Sequence, residues 1–459
     1  MNPPHIFFVL CLLSFTFASS LSSSTPNTIT IPLSPLLTNH PSSNPFQTLK
    51  LAASSSITRA HHLKTHVNPS LIKTLIHPKS YGGYSIDLKF GTPPQTSSFV
   101  LDTGSSLVWL PCSSHYLCSK CNSFPNKTPN FIPKNSSSSK FIGCRNPKCA
   151  WLLGPNVQNR CQNCNGNANS ENCSQLCPAY TIQYGLGSTA GFLLSENLNF
   201  PGKIVPDFLL GCSIISVYQP AGIAGFGRGA ESVPSQMNLT RFSYCLASHE
   251  FDNSPTSSEL VLHAGPFDDG RKTNGVSYTP FRKNPLSGNP AFGMYYYVTV
   301  KKITVGEKRV RVSNNVLEPD FNGNGGFIVD SGSTFTFMER TIFDAVAQEF
   351  EKQVNYTRER EVEKRSGLSL CFNVFGEGTA SFPELSFKFR GGAKMRLPVA
   401  NYFSLVGKSD VACLTIVTDD VAGGPAVIFG NYQQQNFYLE YDLGNQRFGF
   451  RTQSCQMSV

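Results

Sequence analysis

The sequence predicts a mainly β protein with short helices, built as two similar lobes that enclose a cleft. Composition is the first reason, because 37 Gly, 31 Pro and 12% aromatic residues accompany only 15% charged residues in 459. Apolar and polar residues alternate with the two-residue period of strands in both halves. Most tellingly, FVLDTGSSLVWL at 99–110 returns as FIVDSGSTFTFM at 327–338, so each half carries one Asp-Gly turn after an apolar strand.

The N-terminus predicts a secreted protein. Residues 6–18 form an uncharged apolar run before two serines, which indicates a signal peptide over residues 1–20 and is too short to span a membrane. Of fifteen cysteines only Cys11 lies in this signal, and the remaining even number suits a disulfide framework. We expect an extracellular or cell-wall protein, with the vacuole as the alternative destination. Five Asn-x-Ser/Thr triplets are candidate glycosylation sites: Asn126, Asn135, Asn172, Asn238 and Asn355.

Residues 21–80 predict a basic propeptide, with a short helix within residues 46–64. This segment contains no Asp or Glu, and its five cations account for much of the net charge of +9. These cations are Lys50, Arg59, Lys64, Lys73 and Lys79. The alternative is a disordered linker. No later segment combines basic clusters with interleaved aromatics, so the charge does not indicate nucleic-acid binding.

The remaining chain divides into two lobes. Strand patterns begin at residue 81, and a Ser/Pro/Gly-rich stretch at 252–276 marks a boundary, so we predict an N-terminal lobe over 81–270 and a C-terminal lobe over 271–459. Residues 112–177 form a Cys-, Asn- and Ser-rich insertion in the first lobe. The clearest helix is predicted over 341–354, where apolar residues recur at helical spacing.

The repeated turn places one carboxylate in each lobe. Asp102 and Asp330 each follow an apolar strand and precede a hydroxyl residue, a glycine and a serine. If the lobes arose by duplication, the two carboxylates meet at a pseudo-twofold axis. Such a pair shares one proton, so one carboxylate can take a proton from water while the other protonates a carbonyl oxygen. This chemistry needs no cofactor or metal.

These motifs resemble those of the pepsin-type aspartic proteases, and more specifically the plant nepenthesin-type group with a Cys-rich N-lobe insertion. The similarity spans roughly residues 80–459. LDTGSS and VDSGST are similar to the two catalytic loops. AGIAGFGRG at 221–229 and AVIFGNY at 426–432 are similar to the segments that run beside these loops, and QYGLGSTAG at 183–191 is similar to the flap hairpin. The implied fold is the bilobal, pepsin-like double β-barrel.

The resemblance also implies roles at the site. Asp102 and Asp330 would form the catalytic dyad, with Gly104 and Gly332 in their turns. Thr103 and Ser331 would bond the opposite loop, and Ser105 and Ser333 would bond the outer carboxylate oxygens. Tyr184 and Gly185 would belong to a flap that closes over substrate, and Trp109 would hydrogen-bond Tyr184. Leu186 departs from the small polar or acidic residue usual in the flap, and the saposin-like insertion of typical plant enzymes has no counterpart.

The same resemblance implies a disulfide pattern. It suggests the pairs Cys112–Cys118, Cys121–Cys212, Cys245–Cys455 and Cys371–Cys413. For the remaining cysteines we predict Cys144–Cys177, Cys149–Cys173 and Cys161–Cys164, one of fifteen connectivities. Two Cys-x-x-Cys pairs, at 118–121 and 161–164, keep zinc as the alternative, although an oxidising compartment favours disulfides.

The predicted function is a secreted, monomeric aspartic endopeptidase that acts on protein or peptide substrates at acidic pH and is inhibited by pepstatin-like compounds. We expect the leader to hold it inactive, with Lys or His facing the cleft carboxylates until acidification. The alternative is an inactive relative that binds xylanases or other glycosidases as an inhibitor. A cell-wall adhesion or signalling role has no positive motif. No nucleic acid, membrane anchor or cofactor is expected.

Overall fold

The computed structural model describes most of the chain, and all structural statements below refer to this part. The described residues are 28–36, 45–64, 83–121, 130–161, 175–185, 187–219, 221–248, 258–265, 270–285, 289–313, 315–376, 380–406, 410–421 and 423–455. The predicted signal peptide lies outside them, as do Lys73, Lys79, Asn126, Asn172, Cys164, Cys173 and Leu186. Asn135, Asn238 and Asn355 are exposed, as glycosylation sites must be.

Strands dominate the described residues. They are β1 Thr28–Leu36, β2 Gly83–Phe90, β3 Gln95–Asp102, β4 Trp109–Pro111, β5 Leu117–Ser119, β6 Lys140–Phe141, β7 Tyr180–Gln183, β8 Ser188–Phe200, β9 Lys203–Val217, β10 Gly222–Gly225, β11 Arg241–Cys245, β12 Ser258–His263, β13 Ser277–Pro280, β14 Tyr296–Val298, β15 Val300–Val305, β16 Lys308–Arg309, β17 Phe327–Val329, β18 Thr336–Met338, β19 Thr357–Arg358, β20 Cys371–Asn373, β21 Leu385–Phe389, β22 Lys394–Arg396, β23 Phe403–Leu405, β24 Val411–Leu414, β25 Ile416–Val417, β26 Val427–Phe429, β27 Phe437–Asp442 and β28 Arg447–Thr452.

Helices are few and mostly short. They are α1 Pro45–Lys64, α2 Pro147–Leu153, α3 Val233–Gln236, α4 Arg340–Gln353, α5 Arg360–Ser366 and α6 Asn431–Gln434, with 3-10 turns at Pro133–Asn135, Pro155–Arg160, Pro290–Met294 and Val399–Asn401. The predicted helix at 341–354 corresponds to α4, whose apolar face is buried. None of the described helices is long and apolar enough to cross a membrane. The prediction of a mainly β fold with short helices is confirmed.

One large sheet joins the two halves of the chain. Its path runs β13-β28-β27-β11-β12-β1-β2-β3-β10-β4-β9-β8-β6, with β5 and β7 at its sides, so C-terminal strands pair directly with N-lobe strands. Three smaller sheets build the rest of the C-terminal half, in the orders β14-β17-β26-β18-β25, β16-β15-β21-β22 and β19-β20-β24-β23. The bilobal fold therefore rests on a continuous hydrogen-bonded base.

The two Asp-Gly turns lie in equivalent strand arrangements. In the first half, β10 runs parallel to β3, which ends at Asp102, and antiparallel to β4. In the second half, β26 runs parallel to β17, which ends just before Asp330, and antiparallel to β18. This repeated arrangement is the structural form of the duplication that the sequence predicts.

Two elements of the predicted propeptide are integral to the described fold. Strand β1 lies between β12 and β2 and pairs antiparallel with both. Its inward side chains Ile29, Ile31 and Leu33 join the main apolar core. Helix α1 lies in the cleft, where Leu49 and Leu63 pack with apolar residues of the second half. The alternative of a disordered linker is therefore wrong for residues 28–36 and 45–64, which form β1 and α1.

The disulfides correct part of the predicted pattern. Cys245–Cys455 and Cys371–Cys413 are present as the resemblance implies. Cys112, however, pairs with Cys212, because β4 and β9 are parallel neighbours that place Leu110 opposite Cys212. The predicted pairs Cys112–Cys118 and Cys121–Cys212 are therefore wrong, and Cys118 instead pairs with Cys121.

In the insertion, Cys144 pairs with Cys161 and Cys149 with Cys177, so the predicted pairs Cys144–Cys177, Cys149–Cys173 and Cys161–Cys164 are also wrong. The chain around Ile142 runs beside Cys177, and helix α2 carries Cys149 onto that cysteine. These bonds leave none of the described Cys-x-x-Cys thiols free to bind zinc.

We predict that β1 stabilises the full-length chain. Leu33 is fully buried, so Leu33→Ala should lower the free energy of unfolding by about 2–5 kcal/mol through lost apolar contact and a residual cavity. Urea unfolding followed by circular dichroism measures this loss. Thr30→Ala is the matched control, because Thr30 lies on the same strand with an exposed side chain. Equal unfolding curves for both variants would contradict a structural role for β1.

Candidate active site

Asp102 lies at the end of β3 with its carboxylate held from two sides. The backbone N–H of Gly104 donates to Oδ1 at 2.9 Å, and the Ser105 hydroxyl donates to Oδ2 at 2.6 Å. The residue is 1% exposed. These bonds fix the carboxylate plane, because both oxygens have a donor from the same tight turn.

Asp330 repeats this geometry in the other half. The N–H of Gly332 donates to Oδ1 at 3.0 Å, and the Ser333 hydroxyl donates to Oδ2 at 2.6 Å. Asp330 is fully buried. Each glycine is also required by close approach, since a Cβ on Gly104 would collide with the Asp330 carboxylate and one on Gly332 would collide with the carboxylate of Asp102. The two carboxylates therefore face each other across the lobe boundary.

Thr103 and Ser331 tie the two turns together. The N–H of Thr103 donates to the Ser331 hydroxyl at 3.1 Å, and the N–H of Ser331 donates to the Thr103 hydroxyl at 2.9 Å. Each hydroxyl then donates across the boundary, Thr103 to the Val329 carbonyl at 3.2 Å and Ser331 to the Leu101 carbonyl at 2.9 Å. Ser331 makes the same set of bonds as Thr103, because only the backbone N–H and the side-chain hydroxyl of each residue are used.

Tyr184 directly follows β7 and begins the hairpin turn that leads into β8. Its hydroxyl accepts a hydrogen bond of 2.8 Å from the Trp109 indole N–H, and both rings are buried. Tyr184 and Gly187 exchange backbone hydrogen bonds across the hairpin turn. Gly185 touches helix α1, because a Cβ at this position would overlap the backbone of Arg59. The flap therefore closes onto the leader helix.

Arg59 of α1 occupies the space between the two carboxylates. Its Nη2 donates to Asp102 Oδ1 at 2.6 Å, and its Nε donates to Asp330 Oδ2 at 3.2 Å. The arginine is only 7% exposed. The planar guanidinium suits this geometry, since it presents several donors in a fixed fork and stays charged when buried. One cation thus bridges both members of the candidate dyad.

The charges shift one another in opposite directions. Burial raises the pKa of Asp102, and the neighbouring Asp330 adds to this rise while Arg59 opposes it. Burial also acts to raise the pKa of Asp330, but Arg59 and the Ser333 hydroxyl outweigh it and lower that pKa. For Arg59, burial favours the neutral form, yet the two carboxylates raise its pKa overall. The pair is therefore asymmetric although its two turns match.

Small side chains allow α1 to enter the cleft. Ala52, Ala53 and Ala60 are buried against the second half, and the Ser56 hydroxyl accepts a hydrogen bond of 2.7 Å from the N–H of Phe335. At the helix end, the Lys64 ammonium donates to a backbone carbonyl and lies 4.4 Å from the centre of the Phe337 ring. His61 pairs with Asp419.

The cation at the carboxylates differs from the predicted residue type. The basic leader predicts Lys or His at this place, and that prediction is wrong in residue type: Arg59 makes both ion pairs, and Lys64 donates to a backbone carbonyl instead. Two features of the sequence point to Arg59: it is the one arginine in the predicted propeptide, and small residues surround it in the helix. A buried pair of carboxylates favours arginine because its charge survives desolvation.

Comparison with known proteins decides the family. The family model described as xylanase inhibitor N-terminal matches residues 84–262, and the one described as xylanase inhibitor C-terminal matches residues 295–452. A probable aspartyl protease of Arabidopsis thaliana is 33% identical over 417 residues, covering 81% of this chain and 82% of that protein. The chain belongs to the pepsin-like aspartic protease family. The predicted family is therefore confirmed.

Further relatives carry the same kind of name. Aspartic proteinase nepenthesin-2 of Nepenthes gracilis is 33% identical over 384 residues, covering 82% of this chain and 79% of that protein. Among solved structures, edgp matches with a TM-score of 0.64 at 18% identity, covering 94% of this chain and 96% of that one. Basic 7S globulin from soybean matches with a TM-score of 0.60 at 16% identity, over the same shares. At these identities the two structures show the fold alone.

We predict that acid weakens the docking of α1 in the cleft, because His62 is buried in its uncharged form. Its Nδ1 atom is buried without a hydrogen-bond partner among the described residues. Burial, followed by the charge of Arg59, lowers the pKa of His62 from 6.5 to about 4, against the opposite effect of Asp330. Between pH 6.5 and about pH 4, His62 therefore binds fewer protons in the docked helix than in the free helix. Docking is strongest above pH 6.5 and weakens as the pH falls towards 4. The free energy of docking falls by at most about 1.4 kcal/mol per pH unit.

Hydrogen exchange over residues 45–64, corrected for the intrinsic rate at each pH, measures this loss. His62→Phe keeps the ring and cannot gain a proton, so it should retain more protection at pH 4.5 than the wild type. Parallel pH profiles for the wild type and this variant would refute the assignment to His62.

Proposed function

We propose that this protein is a secreted aspartic endopeptidase that hydrolyses peptide bonds at acidic pH. The observation that carries the proposal is the mirrored pair of turns, in which Asp102 and Asp330 face each other with matching donors on both oxygens. Relatives named aspartic proteinases support protein or peptide substrates. The signal-like N-terminus and the disulfides support passage through the secretory route.

In this proposal the two carboxylates share one proton once the cleft is open. The ionised carboxylate takes a proton from a water molecule that attacks the peptide carbonyl carbon, and the protonated one gives its proton to the carbonyl oxygen. The bonds between Thr103 and Ser331 keep the carboxylates aligned for this exchange. Tyr184, held by Trp109, closes over the substrate and excludes bulk water.

We further propose that α1 makes the full-length chain a zymogen. Arg59 fills the position between the carboxylates where the attacking water has to lie, and the flap turn is packed on the same helix. Removal of this helix is then required before substrate can enter.

The family model matched here bears the name of xylanase inhibitors, but no group of the candidate dyad or flap is missing, which supports the enzyme over an inhibitor.

Dyad variants test the proposed chemistry. After conversion at acidic pH, the wild type should cleave a denatured protein with an optimum below about pH 5 and be inhibited by pepstatin. Asp102→Asn and Asp330→Asn should each lower activity by about a hundredfold to ten-thousandfold, because neither can exchange the required proton. Asp320→Asn, which changes an exposed carboxylate, is the control. No cleavage by a folded protein freed of α1 would rule out the enzyme, and binding to a panel of glycosidases would then be measured.

Charge variants in α1 test the zymogen. Arg59→Gln leaves two buried carboxylates without their cation, so docking should weaken and full-length protein should bind pepstatin near pH 6, where the wild type does not. Lys50→Gln removes an exposed charge from the same helix and should behave as the wild type. Isothermal titration calorimetry measures both. Equal pepstatin binding by the wild type and Arg59→Gln would show that Arg59 does not close the cleft.

A further inference from the structure

A polar cluster lies directly beneath the candidate dyad, within the buried interior of the protein. Its members are Tyr244 on β11, Tyr441 on β27 and Gln434 in α6, and all three are at most 1% exposed. The Tyr244 hydroxyl donates to Gln434 Oε1 at 2.8 Å and lies 3.0 Å from the Tyr441 hydroxyl. Buried polar groups are costly unless satisfied, so this cluster calls for an explanation.

Gln434 connects this cluster to the catalytic loop. Its side-chain Nε2 donates to the Phe429 carbonyl at 2.7 Å and to the Asp330 carbonyl at 3.3 Å. Both carbonyls belong to the segments that shape the Asp330 turn, since Asp330 N–H itself donates to Phe429 O at 3.0 Å. With Tyr244 on its oxygen, the amide of Gln434 is held at both ends.

The two lobes support their aspartate carbonyls in different ways. In the first half, the backbone N–H of Phe226, the residue after β10 and Gly225, donates to the Asp102 carbonyl at 2.7 Å. The equivalent residue after Gly430 is Asn431, but its N–H donates to the Ser333 carbonyl instead, because α6 begins there. Among the described residues, no backbone N–H donates to the Asp330 carbonyl as Phe226 does to that of Asp102, and the side chain of Gln434 supplies a donor instead.

The peptide group between Asp330 and Ser331 also makes a hydrogen bond across the lobe boundary. The Asp330 carbonyl and the Ser331 N–H belong to one planar peptide group. Gln434 holds this plane at its oxygen, while the Thr103 hydroxyl holds it at its nitrogen with a 2.9 Å bond. Rotation of the plane would loosen the bond to Thr103 and turn the Asp330 side chain.

We infer that Gln434, held by Tyr244, is a positioning residue that fixes the Asp330–Ser331 peptide plane and so aligns Asp330 with Asp102. It touches neither substrate nor the reacting atoms. Tyr441 supports the arrangement through its bond with the Tyr244 hydroxyl and by stacking on Phe242, with ring centres 4.4 Å apart. This inference rests on the proposed peptidase function only for its catalytic consequence.

Gln433 offers a matched control one residue away. It is also fully buried, and its amide also bonds backbone groups, namely the Thr336 N–H at 2.7 Å and the carbonyls of Asn401 and Thr415. None of its bonds reaches the Asp330 turn. Gln433→Met and Gln434→Met each remove one buried amide of similar size, so both are expected to lower the thermal unfolding temperature.

The experiment compares these two variants after conversion at acidic pH. Gln434→Met should lower kcat by roughly tenfold to a hundredfold with KM within about twofold, because misplacement of a reacting group slows the chemical step. Gln433→Met should keep kcat within about twofold. Tyr244→Phe leaves Gln434 Oε1 without its donor and should also lower kcat, and the double variant with Gln434→Met should lose little more than the single ones.

Hydrogen exchange at the backbone amides of residues 330–333 provides a readout that does not need activity, and this range excludes the Thr336 N–H that Gln433 itself binds. Gln434→Met should speed exchange of this segment relative to Gln433→Met. If the wild type is inactive, the proposed function fails, but this exchange result still decides the positioning role. An equal loss of stability, with unchanged kcat and equal exchange in the two variants, would show that Gln434 is a structural residue only.

Discussion

The reciprocal bonds between Thr103 and Ser331 are the constraint on which the site depends. Each residue offers its N–H to the other's hydroxyl, and each hydroxyl donates to a carbonyl behind the opposite turn. Four bonds therefore cross the lobe boundary within two residues of each turn. Neither loop can move alone without breaking them, so the spacing of the two carboxylates is a property of the whole two-lobed fold.

Symmetry at this boundary is close but incomplete, and the departures have physical causes. The same donors serve both carboxylates, yet the Arg59 guanidinium approaches Asp102 at 2.6 Å and Asp330 at 3.2 Å. Behind the turns, a backbone N–H supports one aspartate and a glutamine side chain supports the other. The two turns are therefore equivalent in their immediate donors, and they differ in the contacts made by the groups above and below them.

The sequence was sufficient for those features that are local and repeated. The Asp-Gly turns, the hydroxyl partners of Thr103 and Ser331, and helix α4 follow from spacing and resemblance. Disulfide pairing did not, because Cys112 meets Cys212 only through the parallel alignment of two strands distant in sequence. Gln434 was missed for a related reason, since a buried glutamine gives no periodic signal and its partners lie on β11 and at the ends of β17 and β26.

Strand β1 and helix α1 are held in place by different interactions. The two elements of the leader should therefore respond differently to acid. Besides its apolar contacts with the second half, the helix depends on the ion pairs of Arg59 and on the buried, uncharged His62, and these two contributions respond to protons. The strand is held by backbone hydrogen bonds on both edges and by buried aliphatic side chains, none of which titrates. Of the contacts named here, acid therefore weakens only those of the helix. A cut between Leu36 and Pro45 together with one between Lys64 and Gly83 would release the inhibitory element and leave β1 behind as a noncovalent second chain.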